Sequence, residues 1–172
     1  MILYGIIILA VLSRFIPHMP NVGLITALAM FSAVNMDWKK SVGITLAARF
    51  VSDIFLGFFA WPLMVAVYAS HLAGILFGLW IKRTSNNRWA KIIFSSLATS
   101  VLFFLVTNFA YLYAEYPHNF AGIMLAYANG LPFLRGTLVG DLGYSVALFG
   151  VFQLVMYFKA NQAKTKFLIS NF

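Results

Sequence analysis

The chain contains no cysteine and very little acid: four Asp and Glu against twelve Lys and Arg in 172 residues. Without cysteine there is no disulfide framework, no thiolate metal site and no cysteine nucleophile. Charged residues make up only 9% of the sequence, whereas a soluble domain carries about 25%. That deficit leaves too little polar surface to face water. A soluble enzyme, a disordered chain and a disulfide scaffold are excluded together. What fills the length is apolar: 62% of residues are hydrophobic, 17% are aromatic, and the mean hydropathy is +0.89. A spanning helix takes about 20 residues, so six of them would occupy roughly 120 positions and leave only short loops. The sequence predicts an all-α polytopic membrane protein, a single transmembrane domain over residues 1–172, multi-pass in the cell membrane.

The apolar runs place helices at Met1–Ile16, Asn21–Met36, Ser41–Ala60, Pro62–Ile81, Ala90–Ala114 and Leu138–Phe158. No Lys or Arg precedes the first run and no small-residue cleavage site follows it, so it reads as a retained helix and not as a signal peptide. Between the fifth and sixth lies Phe120–Leu134, apolar but interrupted by Gly130 and Pro132. About 15 residues are too few to span, which predicts a short re-entrant or interfacial segment. Lys39 and Lys40 follow the second helix, Lys82, Arg83, Arg88 and Lys91 the fourth, and Lys159, Lys164 and Lys166 the sixth. Basic residues collect in cytoplasmic loops, so this alternation predicts six spans with both termini inside. The net charge of +8 is then a topology signal and not a nucleic-acid signal. Pairs of small residues four apart, at Ala29/Ala33, Gly43/Ala47 and Gly136/Gly140, allow close helix contact. No internal similarity between the halves supports an inverted repeat.

A charge inside a span costs about 2.5–3.5 kcal/mol on insertion scales, so each needs a partner or a function. Arg14, Arg49, Asp53 and Asp141 are in that position, with His71 and Asn108 as neutral polar company. The outer connections add His18, Asn21, Trp61, Glu115, Tyr116, His118, Asn119 and Arg135. Together they predict a polar cavity open to the outside. Arg14 or Arg135 would bind an anionic group, Asp53 or Asp141 an amine or ring N–H, and Tyr68, Tyr111 and Trp61 would stack on a flat ring. The substrate-binding set is therefore Arg14, His18, Asn21, Asp53, Tyr68, His71, Asn108, Tyr111, Arg135 and Asp141. The competing reading pairs Arg14 with Asp53, and Arg49 with Asp53 at i,i+4 spacing, only to hold helices together. His71 is then a core histidine and not a proton relay. The sequence has no HxxxH or HxH for a metal, no phosphate loop and no nucleophile elbow. No cofactor, metal or catalytic residue is expected.

The order Arg14-Phe-Ile-Pro-His18-Met-Pro-Asn21, then Ala27-Leu-Ala29, Ser52-Asp53, Val67-Tyr68, Thr107-Asn108-Phe109, Tyr116-Pro117, Pro132-Phe133 and Gly140-Asp141 resembles an uncharacterised family of small transport-type membrane proteins. The resemblance runs from about Arg14 to Gly150. In size, helix number and topology that family is similar to the substrate-binding (S) components of energy-coupling factor transporters. The likeness implies a vitamin-like or heteroaromatic micronutrient bound from outside and a protein that reorients in the bilayer to release it. It also implies docking on a transmembrane coupling subunit with cytoplasmic ATPases; a solitary transporter is the alternative. First helices of many S components carry a small-xxx-small pair for docking. Here the first helix has none, and Ala29/Ala33 is the nearest substitute. Two readings from other classes stand beside uptake: a non-transporting scaffold or assembly subunit, and an intramembrane lipid-processing enzyme with Asp53 and His71 as acid and base.

Overall fold

The computed structural model describes Tyr4, Gly5, Ile7, Ile8, Leu12, residues 22–84 and residues 86–170. The first expected span, Met1–Ile16, falls largely outside them, as do Arg14, His18 and Asn21. The described chain is all α: α1 (Ile25–Asn35), α2 (Trp38–Leu56), α3 (Trp61–Lys82), α4 (Arg88–Thr107) and α5 (Phe120–Ser170), with a 3-10 turn at Ala110–Leu112. Three stretches, Trp61–Lys82, Arg88–Thr107 and Phe120–Gln162, are long and apolar enough to cross a membrane.

The shortest helix is the axis of the bundle. Every residue of α1 from Ile25 to Val34 is buried, because a helix that is apolar all round must be enclosed. On one side Ala29 and Ala33 meet Gly74 and Gly78 of α3. A Cβ built at Gly78 would lie 2.5 Å from the Met30 carbonyl oxygen and 2.7 Å from the Ala33 Cβ, so only glycine lets the backbones come this close. On the other side Phe31 sets its ring edge-on against Phe149 and Phe152 of α5, at 5.3 and 5.5 Å. The Ala29/Ala33 pair is therefore an internal contact and presents no surface for docking. Gly43 and Ala47, by contrast, are on the exposed side of α2.

Local capping residues set the ends of α2, α3 and α5. The Asp37 carboxylate accepts from the Lys39 N–H at 3.0 Å and starts α2, the usual role of an N-cap acid. Gly57, at φ +99°, ends it in a conformation other residues resist. Pro62 stands in the first turn of α3, where its missing N–H costs nothing. Asn119 accepts from the Gly122 N–H at 2.9 Å and opens α5.

α5 corrects the expected break between helices five and six. It is one helix of 51 residues, about 76 Å long at 1.5 Å per residue, and the re-entrant or interfacial segment expected at Phe120–Leu134 is its first part. It runs antiparallel to α4. The Tyr127 hydroxyl donates to the Leu105 carbonyl, Gly130 receives the Asn108 side chain, Ser100 faces Thr137 and Asp141, and Gly150 lies against Trp89. The stretch packed on α4 is thus residues 127–150, about 35 Å, long enough for a hydrocarbon core of about 30 Å and set N-terminal to the expected Leu138–Phe158. Pro132 removes one N–H, but a membrane helix tolerates that loss where neighbours re-satisfy the backbone.

Candidate functional site

At the end of the bundle formed by the α2–α3 connection, the last turn of α4 and the first turns of α5 lies a cavity of about 550 Å3. Its size falls in the range of small-molecule sites. Phe59, Leu63, Val67, Phe103 and Phe133 supply apolar walls; Arg49, Thr107, Asn108, Tyr113, Glu115, Tyr116 and Asn129 supply polar ones.

Arg49 is the cation of this cavity, and its position follows from α2. One turn on, the Asp53 carboxylate accepts from Arg49 Nε at 2.9 Å, and the Tyr68 hydroxyl of α3 donates to the same carboxylate oxygen at 2.8 Å. Asp53 is 1% exposed. The guanidinium also lies over the rings of Phe59 and Tyr68, at 5.7 and 5.8 Å. Asp53 and Tyr68 hold one edge of the guanidinium, and the remaining N–H groups belong to a residue that lines the cavity. A fixed cation of this kind suits a carboxylate or phosphate on a ligand.

The opposite wall is built by polar side chains that are themselves held. Asn108 Nδ2 donates to the Phe104 carbonyl at 2.9 Å, and its Oδ1 occupies the space that a side chain at position 130 would need. The Tyr113 hydroxyl donates to the Thr107 carbonyl at 2.6 Å. Burial, with Tyr116 and Glu115 beside it, raises the Tyr113 phenol above its ordinary range, so it is a neutral donor at any physiological pH. Asn129 Nδ2 donates to the Tyr116 hydroxyl at 3.1 Å. Aromatic faces, two amides, one guanidinium and the Glu115 carboxylate can bind a flat polar solute. Among the described residues no group of three or more His, Cys, Asp or Glu is placed to hold a metal.

A second polar cluster lies deeper, around α1. His71 Nδ1 of α3 is 3.0 Å from the Thr26 Oγ1 of α1, and the histidine ring packs 5.2 Å from Phe103. Ser100 of α4 donates to the Asp141 carboxylate of α5 at 2.8 Å, and Thr26 lies beside that same carboxylate. Four helices are tied by these side chains, each pair a hydrogen bond in a medium without water.

The residues expected to bind substrate therefore separate. Asn108 lines the cavity; Asp53 and Tyr68 stand behind its wall and orient Arg49. His71 and Asp141 belong to the deeper cluster. Tyr111 is outside the cavity, stacked with Phe109 and with His118 at 5.0 and 4.6 Å, its hydroxyl donating to the His118 carbonyl. Arg135 is exposed on α5 and does not line the cavity. Arg14, His18 and Asn21 are outside the described residues. Arg49, Phe59, Phe103, Tyr113 and Asn129 line the cavity but were absent from the expected set. For Arg49 the i,i+4 spacing to Asp53 was the signal; the phenylalanines give none in a sequence with eighteen of them.

These features define an α-helical, membrane-associated protein with a polar and aromatic cavity at one end of its bundle. The chain belongs to DUF6580, a family of unknown function, whose model matches residues 1–165. No curated protein and no solved structure matches it.

Proposed function

We propose that the protein binds a small micronutrient, a vitamin-like or heteroaromatic solute with an anionic group, in the 550 Å3 cavity and serves its uptake across the cell membrane. The observation that carries this reading is Arg49: a cation fixed by Asp53 and Tyr68 at the wall of an aromatic cavity. In this reading the chain spans the membrane six times with both termini in the cytoplasm. The cavity opens outward and the basic ends of α3 and α4 face in, as the positive-inside rule requires. The arrangement is S-component-like. No nucleotide motif occurs in the sequence, so ATP-driven uptake would need the coupling subunit and ATPases as partners.

The test is a thermal-shift screen of the purified protein against vitamins, nucleobases, amino acids and their precursors. A one-site ligand at about 100 times its dissociation constant adds roughly 2.7 kcal/mol of stability. The expected result is a hit that Asn108→Ala and Tyr116→Phe weaken and Arg49→Gln abolishes, while Tyr111→Phe leaves it unchanged. A well-folded protein with no hit favours the scaffold reading. That alternative has its own support: Asp53 and Asp141 are both engaged in bonds between helices, as membrane polar glue would be.

A further inference from the structure

The opposite end of the bundle holds a second cavity, of about 600 Å3, lined by Val34, Asn35, Ile81, Lys82, Arg83, Thr84 and Arg88. Three cations meet here and none of the chain's four acidic side chains does. Lys82 Nζ donates to the Met36 carbonyl at 2.7 Å, which pins it where α1 ends. The Arg88 guanidinium sits 5.9 Å over the Phe149 ring. Both cations are thereby held at the cavity wall.

Tryptophan marks the depth of this hollow. Trp38, Trp80 and Trp89 are all exposed, at 52%, 42% and 40%, and stand at this end of α2, α3 and α4 respectively. Lys39 lies 5.8 Å over the Trp38 ring and Lys91 5.6 Å over the Trp80 ring. Indole rings and lysines gather at the headgroup level of a bilayer. Further along α3 and α4, Leu76, Phe94 and Leu97 are exposed and give acyl chains an apolar surface. Basic pockets between helices at this level select phosphate-bearing headgroups. We propose that the cavity between the α3 and α4 ends binds the phosphate of an anionic membrane phospholipid, with Lys82, Arg83 and Arg88 as its ligands.

The test uses the full chain in a mild detergent, titrated with phosphatidylglycerol and with phosphatidylcholine of the same acyl chains and followed by native mass spectrometry. Phosphatidylglycerol should be retained about tenfold more strongly. Arg83→Ala/Arg88→Ala should erase that preference, and Arg83→Lys/Arg88→Lys should keep most of it. Lys39→Ala/Lys40→Ala, at the same end but outside the cavity, should leave it unchanged. If the double alanine variant does not fold, Arg83→Gln, at an exposed position, carries the comparison. Equal retention of the two lipids overturns the proposal. So does an equal loss from the Lys39/Lys40 variant, which would mean diffuse surface charge. Displacement of the lipid by inorganic phosphate, without any effect of acyl chains, would make this a site for a soluble anion and overturn the lipid assignment.

Discussion

Arg49 and Asp53 form an ion pair with only 2% of the Asp53 side chain left exposed. Removing Arg49 leaves the buried Asp53 carboxylate without its guanidinium, and breaking a pair of this kind costs up to about 3–5 kcal/mol. Arg49→Met should therefore destabilise the protein by that order. Asp53→Leu alone should do likewise, and the double variant should recover most of the loss. Reversible unfolding in mixed micelles would measure the cycle, and additive losses would show that the pair is not coupled. The i,i+4 spacing made this pair legible in sequence. The third member was not: Tyr68 is fifteen residues from Asp53, and no local spacing marks the hydrogen bond its hydroxyl donates to the carboxylate. The surroundings of Tyr111 were equally hidden: an aromatic residue beside a polar loop looks like a ring-binding wall, and here its ring stacks with Phe109 and His118 outside the cavity.

At the scale of helices, the decisive contact is between α1 and α3. Gly78→Ala would put a Cβ 2.5 Å from the Met30 carbonyl oxygen, and overpacking of this kind costs about 1–3 kcal/mol. Gly43→Ala meets nothing within 4 Å and should gain up to about 1 kcal/mol of helix propensity. Thermal unfolding of the two variants should move in opposite directions; a neutral Gly78→Ala would mean that α1 and α3 are not so closely apposed. The sequence marked Ala29 and Ala33 as a close-packing pair but could not say against what, because small-residue spacing specifies a distance and not a partner. Pro132 was misread for a related reason. A length rule applied to Phe120–Leu134 alone sees a segment too short to span, whereas Tyr127, Gly130 and Asp141 register the whole stretch against α4. That register is tertiary, and no local pattern carries it.

At the scale of the molecule, the two cavities lie at opposite ends, one carrying Arg49 and Glu115 and the other Lys82, Arg83 and Arg88. The segregation of cations was legible, since it follows from where loops interrupt apolar runs. The cavity lining was not, since it takes between one and four residues from each of several elements. The lack of cysteine makes single-cysteine labelling with a membrane-impermeant maleimide direct. Asn119→Cys, at the cavity end, should react in intact cells, and Lys159→Cys only after permeabilisation. Val139→Cys, exposed on α5 but inside the stretch packed on α4, should resist in both conditions because lipid surrounds it. Reaction of Lys159→Cys in intact cells would reverse or break the proposed topology.

The enclosure of α1 has a consequence for which changes the chain can absorb. Its residues have no charge and no motif of the kind that usually draws a mutagenesis study. Yet each residue from Ile25 to Val34 is buried, so there is no solvent- or lipid-facing position at which variation would be silent. In the long α5, by contrast, Val139, Val146, Val151 and Leu154 face outward and any lipid-compatible residue would serve. A saturation library should therefore find the smallest and plainest helix the least replaceable, and the longest one the most permissive.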